Sequence, residues 1–369
     1  MRRIAVLLSG DINVDSRVQK EIDTFISLGL QVTLISWSYE ATVYKKRNLN
    51  IINIPLGKHK SPYGKLFTFL NVIKFWYAAS RIIRKEDYAY IHCNDLNTLG
   101  VMYFLPKSYD KHIVYDAHEL TPEKFPPFSI RRIIWNYVEK QLIKRANTVI
   151  TPEINRAKYL RKKYKMSKTA YVINNFPRHQ LVCSKDIRGE LGIQRDTKIL
   201  CFHGLLHPNR KIEDIIESLK YLPEDFVTVL IGYSFGDYLE RVKQFAKDIC
   251  VENRVFFYGK VPAEEILKTI AGCDVGIALY DDNNLNNYYC APNKVFDYIM
   301  AGVKVITNDY PSLKMLNEYR FVRLISEVSS QTIAKYAKEL ADDDSVISDS
   351  VKEKFSWDIF YDTFAEIYS

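Results

Sequence analysis

Residues 287–308 read NYYCAPNKVFDYIMAGVKVITN. The segment opens polar and aromatic and turns at Pro292. Val295, Ile299 and Met300 then give one apolar face to a helix predicted from Lys294 to Met300. Ala301-Gly302 closes that helix, and a β-branched strand, Val303 to Thr307, follows at once. Proline just inside a helix start and glycine just past its end is the expected asymmetry. A helix sandwiched between strands in this way belongs to a parallel sheet, and its N-terminus lies at the sheet's carboxyl edge, where α/β folds hold ligands. Free backbone N–H groups and the helix dipole favour an anion there. Lys294 adds a cation, and Asp297 places a carboxylate on the same face. The segment is thus either a phosphate cradle with a ribose-binding carboxylate or a plain βαβ turn.

The chain outside this stretch repeats the pattern. Its 369 residues are 47% apolar and 26% charged, roughly two globular domains' worth. Arg2 to Ser9 is an apolar strand that enters Gly10-Asp11. A helix to Leu28 and the strand Gln31 to Trp37 follow. Only one glycine occupies that first turn, so the GxGxxG dinucleotide fingerprint is absent. Gly10 either admits a ligand close to the backbone or makes a tight turn. Strands are predicted at Tyr88–His92, His112–Asp116 and Thr148–Thr151. After a linker at 174–178, further strands are predicted at Lys198–His203, Phe226–Ile231, Arg254–Tyr258 and Asp274–Tyr280, with a late one at Arg320–Ile325. A helix over Phe355–Ser369 carries Trp357, Phe360, Phe364 and Ile367 on one side and must dock on something. Strands alternating with helices in both halves predict two parallel-sheet, Rossmann-like domains. Their boundaries fall at 1–176 and 177–355, with 356–369 packing back on the first.

Charge and cysteine usage narrow the class. The net charge of +8 divides unevenly. Residues 1–180 hold 30 Lys+Arg against 14 Asp+Glu, and the rest hold 22 against 30. The first half is expected to meet something anionic. The six cysteines form no CxxC pair and read as buried thiols of a reducing compartment. The N-terminal apolar run is too short for a signal peptide, and no run reaches the ~20 apolar residues of a spanning helix. A cytoplasmic location is expected. Residues 57–86 form a basic, aromatic, amphipathic block that includes Lys65, Lys74, Trp76, Arg81 and Arg84. It reads either as a helix covering the sheet or as one lying on an anionic membrane surface. A second basic run, 156–168, reads as a solvated helix face or a headgroup-facing surface.

Candidate site residues cluster at predicted strand ends. Asp95 is an N-cap or a ligand-facing carboxylate. His118 and its neighbouring carboxylates end the strand His112–Asp116, a position that favours a site. The second half contributes Arg210, Lys211, Lys260, Lys294 and Asp297 from its own strand-end loops.

Five segments in order resemble the GT-B glycosyltransferases of family 4. They are Asp15-Ser16-Arg17-Val18-Gln19-Lys20-Glu21 ("DxRVxKE"), Asn94 to Leu99 ("HDLDTL"), Val114 to Glu119 ("VYDxHE"), His203 to Lys211 ("GGLxPxRG") and Pro292 to Ile306 ("PNKLFEYxAAGxPVI"). The resemblance covers nearly the whole chain. It implies a GT-B fold with the two sheets facing a cleft, and transfer of a sugar from a nucleotide-diphosphate donor with retention. The implied acceptor is a glycan or lipid-linked glycan of surface polysaccharide synthesis. The resemblance implies that His118, Asp95 and Arg210 act in catalysis. Gly10, Asp11, Arg210, Lys211, Lys260, Val261, Asn293, Lys294 and Asp297 would bind the donor. No metal or other cofactor is expected, nor nucleic acid as a partner. Lys211 stands where the family often has glycine. The family's first glutamate falls on Tyr289, and Asp297 matches the second. A sugar-nucleotide epimerase or phosphorylase on the same scaffold, or a non-catalytic partner subunit, are the rival readings.

Overall fold

The computed structural model describes residues 2–38, 43–56, 64–109, 111–281 and 283–369, with the backbone alone for 64–69. The chain divides into two units. The first comprises 1–174, 284–286 and 360–369, and the second 175–283 and 287–359.

The first unit holds β1 (Arg3–Leu8), α1 (Ser16–Ser27), β2 (Gln31–Ser36), β3 (Leu49–Asn53), α2 (Gly64–Lys85), β4 (Tyr90–Asn94), α3 (Leu96–Leu99), β5 (His112–Asp116), α4 (Ile130–Leu142), β6 (Thr148–Thr151), α5 (Ile154–Tyr164) and β7 (Tyr171–Val172). The strands form one parallel sheet in the order β3-β2-β1-β4-β5-β6-β7. β1 is buried almost throughout, because helices cover both faces of such a sheet. From β1 the chain winds outward through β2 and β3, then returns to β4 on the other side of β1. The strand order therefore reverses between β1 and β4, which leaves a crevice at their carboxyl ends.

The second unit holds α6 (Ile187–Leu191), β8 (Lys198–Leu205), α7 (Ile212–Glu217), β9 (Phe226–Tyr233), α8 (Tyr238–Asp248), β10 (Val255–Gly259), α9 (Ile266–Ile270), β11 (Val275–Ala278), α10 (Leu285–Tyr288), α11 (Asn293–Ala301), β12 (Lys304–Asn308), β13 (Val322–Ile325), α12 (Ser330–Ala341) and α13 (Asp349–Lys354). Part of α10 belongs to the first unit. The sheet order is β10-β9-β8-β11-β12-β13, again parallel, and the reversal falls between β8 and β11. Its core packs Leu200, Phe202, Leu230, Ile277 and Ile306 beneath the helices.

Three expectations need correction. β3 and β7 went unread: β3 is a partly exposed edge strand and β7 only two residues long, so neither shows a clear period. The C-terminal helix is not continuous. A 3₁₀ turn at Trp357–Phe360 precedes α14 (Tyr361–Ile367). Trp357 is buried, and its backbone N–H donates to the Pro177 carbonyl at 2.8 Å in place of a helical partner. Cys183 and Cys250 are exposed, whereas Cys93, Cys201 and Cys273 are buried. Among the described residues, no helix is long and apolar enough to cross a membrane.

Candidate active site

In the second unit the site forms where β8 and β11 part. The Arg210 guanidinium lies over the Tyr280 ring, 4.1 Å from its centroid. Lys294 Nζ, from the first turn of α11, is 5.7 Å from the same ring and 4.2 Å from that of Phe202. Gly204 makes this possible. It has φ of +110°, and a Cβ there would come within 2.8 Å of Lys294 Cε. Burial and the Arg210 charge push the Lys294 ammonium down to about 7, with Asp297 pulling the other way. The repulsion from Arg210 that lowers Lys294 is one that an anion between the two groups would relieve. Asp297 Oδ2 lies 3.7 Å from His203 Nε2. Burial, reinforced by Lys294, lowers His203 to about 3, so the imidazole is neutral. Asn293 opens α11 on its exposed side.

Lys211 is directed elsewhere. Its Nζ pairs with Asp281 at 2.9 Å, and its backbone sits at φ 56°, the left-handed region in which glycine is cheapest. The structure thus places Lys211 at the rim as the counter-ion of a neighbouring loop. Lys260 leaves the end of β10 and lies 5.3 Å from the Tyr233 ring at the end of β9, with half-buried Val261 beside it. These two residues border the same sheet edge two strands from Arg210.

In the first unit a cavity of about 540 Å³ opens at the β1/β4 reversal. Gly10 and Asp11 follow β1, Asp95 follows β4, and Trp37, Phe125 and Trp135 supply aromatic walls. Gly10 has ordinary backbone angles, and a Cβ there would meet only Leu8 at 3.8 Å, so conformation does not demand a glycine. Asp95 occupies the N-cap position of α3, but its side chain does not cap the helix. Its φ of 63° turns the side chain away from α3, and Oδ1 accepts from the Glu119 N–H at 3.2 Å. Its Oδ2 lies 3.7 Å from His118 Nδ1.

Behind His118 lies a buried charge network. His118 Nε2 is 3.6 Å from Asp116 and 3.9 Å from Glu21. Arg17 bridges both carboxylates, at 2.7 Å to Asp116 and 3.0 Å to Glu21, and donates to the Ile173 carbonyl. His92 sits 3.2 Å from Glu21 on one side and 2.6 Å from the Tyr368 hydroxyl on the other. Burial alone would lower the His118 pKa, but Asp95 and Asp116 outweigh it and raise it to about 10. Burial pushes Asp95 up to about 6 despite His118. Burial raises Asp116, but Arg17 and His118, with the hydrogen bonds it receives, together outweigh burial and hold it well below the usual carboxylate range. His118 is therefore an imidazolium at neutral pH, a donor held by carboxylates. Glu21, Asp116 and His118 offer three ligand atoms close together. Arg17 already supplies a cation to both carboxylates.

Reading the sequence missed Tyr280, the platform under both cations, and gave no role to Arg17, Glu21 or Asp116, although all three fall in quoted motifs. A tyrosine ending the apolar run of β11 was the available signal for Tyr280. Of the expected membrane-facing residues, Lys74, Arg81 and Arg84 are exposed. Trp76 is not: it is 95% buried, its indole N–H donates to the Asn97 carbonyl, and its ring fills the space over Gly100. The Lys65 side chain lies outside the described residues.

Comparison with known proteins agrees with this fold. Residues 17–177 match the Glycosyltransferase Family 4 model, and residues 184–354 the Glycosyl transferases group 1 model. A curated relative, an uncharacterised glycosyltransferase of Methanocaldococcus jannaschii, is 23% identical over 172 residues, 43% of this chain. The match spans only 41% of that protein's length. Sucrose-phosphate synthase from Thermosynechococcus elongatus superimposes with a TM-score of 0.78 at 18% identity, over 100% of this chain and 98% of its own. Anabaena HepE in complex with UDP gives 0.73 at 17% identity, over 99% of both chains. The two matched models in tandem and the two parallel Rossmann-like sheets show that the chain belongs to the GT-B glycosyltransferases, with a family 4 first domain and a group 1 second domain.

Proposed function

We propose that the chain transfers a glycosyl group from a nucleotide-diphosphate sugar to a hydroxyl of a glycan or lipid-linked glycan, with retention at the anomeric carbon. The observation that carries this reading is the convergence of Arg210 and Lys294 on Tyr280 at the β8/β11 reversal. A diphosphate there meets two cations and the N-terminus of α11, which stabilise the charge that develops as it leaves. Asp297 suits a ribose hydroxyl, and Lys260 and Val261 border the base. UDP occupies the HepE relative, and a uridine donor is the first to try here.

The anomeric C–O bond to the diphosphate breaks through an oxocarbenium-like state. The acceptor oxygen bonds the same face, and its proton passes to the departing diphosphate oxygen. In the first unit His118, held as a cation by Asp95 and Asp116, is a hydrogen-bond donor suited to a sugar hydroxyl, and Gly10 and Asp11 line the crevice next to Asp95. Arg210 and Lys294 supply the positive charge a divalent ion would otherwise bring, so chelators are expected to leave the rate unchanged. The cavity beside Asp95 receives the acceptor glycan. The test is a thermal-shift panel of nucleotide sugars on the intact chain, because a ligand of the folded state raises its melting temperature. At least one nucleotide-diphosphate sugar should stabilise the wild type and fail to stabilise Arg210→Ala. No stabilisation by any of them would reject the reading.

A further inference from the structure

α4 is apolar on two faces, and only one of them is used. Trp135, Val138 and Leu142 point inward with the buried Glu139, whose carboxylate accepts from the hydroxyls of Tyr115 and Tyr164. Ile130, Ile133, Ile134 and Tyr137 recur at the spacing of a second stripe, and that stripe faces solvent. Ile130 is 75% exposed, Ile133 60% and Tyr137 63%. Immediately before the helix Phe128 is 95% exposed, with a backbone φ of 64° that an aromatic residue adopts at a cost. Water offers nothing to offset such an arrangement, since isolated exposed apolar residues are ordinary but a continuous stripe marks an interaction surface.

α2 and the 3₁₀ turn Gly100–Phe104 meet α4 at Trp76, whose ring is 6.1 Å from that of Tyr103 and 6.5 Å from that of Trp135. Tyr77 and Tyr103 are half-exposed on this side. Exposed cations flank the apolar stripe: Lys74, Arg81 and Arg84 on α2, with Arg131, Lys140 and Lys144 on and after α4. Neither α2 nor the span from Ile130 to Arg145 carries an exposed carboxylate. Apolar side chains ringed by cations and interfacial tyrosines complement an anionic lipid bilayer. Lysine is depleted at protein–protein interfaces, and three of these six cations are lysines. The inner face of α4 borders the first unit's cavity, which Trp135 of α4 and Val72 of α2 line.

We infer that Phe128 and the Ile130–Ile133–Tyr137 stripe of α4 insert into the headgroup layer of an anionic membrane, with the cations of α2 and α4 on the surrounding phosphates. This corrects the placing of the contact on Trp76: α2 provides charge, and α4 provides the apolar anchor. A lipid-linked acceptor could then keep its chain in the bilayer while its glycan enters the cavity through the Trp135 side. That consequence rests on the transferase reading, whereas the docking itself does not.

The test therefore uses the intact chain and vesicles alone, with neither donor nor acceptor. Wild-type protein should co-sediment with phosphatidylcholine vesicles that contain phosphatidylglycerol, and only weakly with phosphatidylcholine alone. Phe128→Ser/Ile130→Ser/Ile133→Ser should lower the partition coefficient on anionic vesicles at least about tenfold. Its melting temperature should stay unchanged, because the three side chains are exposed. Lys74→Gln/Arg81→Gln/Arg131→Gln should lose the preference for anionic vesicles. Undiminished pelleting of the triple serine variant would overturn the inference. So would a stable wild-type dimer in solution that this variant dissociates, since a second copy would then cover the stripe.

Discussion

Arg210 stacks on Tyr280, with its guanidinium carbon 4.1 Å from the ring centroid. One residue comes from the loop after β8 and the other from the end of β11, the two strands at which the second sheet reverses direction. The ring fixes a cation that would otherwise sweep a wide volume, and Lys294 faces the same ring. Tyr280→Leu is therefore expected to keep the charge but release it. Nucleoside-diphosphate affinity should fall roughly three- to thirtyfold, the scale of a partly desolvated cation–π contact. Titration calorimetry checks this, and wild-type affinity in the variant would remove the platform role.

Lys294 gives donor binding a pH dependence of known sign. Its ammonium is held down to about 7 by burial and Arg210. A bound diphosphate favours the protonated form and raises that value. Affinity should be highest below about pH 7 and fall as pH rises through the interval between the free and bound values. Binding at pH 8 should take up a proton, visible as a dependence of the measured enthalpy on buffer ionisation. Lys294→Met should flatten both effects.

At the first sheet's reversal point His118 gives stability a pH dependence that likewise falls as pH rises. Its folded pKa, about 10, is above the ordinary 6.5. The stability it contributes is fully present below about pH 6.5 and is lost as pH rises toward 10. The stability gap between wild type and His118→Gln should be on the order of 5 kcal/mol near pH 6 and close by pH 10. Denaturant titration at the two pH values measures it, and a gap that widens with pH would contradict the imidazolium assignment.

Arg17 is fully enclosed by Glu21, Asp116 and the Ile173 carbonyl. Arg17→Met leaves two buried carboxylates without their shared cation and should cost about 3–5 kcal/mol. Adding Glu21→Gln should recover part of that loss. Chemical denaturation of the single and double variants reads the recovery, and strictly additive losses would show that the three groups do not act as one network.

The sheets and the loops at their carboxyl edges were legible in the sequence because buried parallel strands are continuous apolar runs and Gly302 punctuates the decisive helix. The residues missed are those whose role depends on what lies across from them. Tyr280 reads as one more apolar residue until Arg210 is seen above it. Asp95 reads as a cap until its backbone turns to φ 63°. Trp76 reads as an interfacial aromatic until Gly100 opens a slot for its ring. In each case periodicity is preserved and only the tertiary neighbour decides. Lys211 resembles Arg210 in sequence, yet Asp281 draws it aside.

The central claim is that Arg210 and Lys294 together grip the diphosphate of a donor. Titrating a nucleoside diphosphate, UDP first, into wild type, Arg210→Ala, Lys294→Ala and the double variant at pH 6.5 tests it most directly. Each single change should weaken binding by about 2–4 kcal/mol, with the double loss less than the sum because both cations meet one ligand. Binding of the double variant at wild-type affinity would contradict the claim.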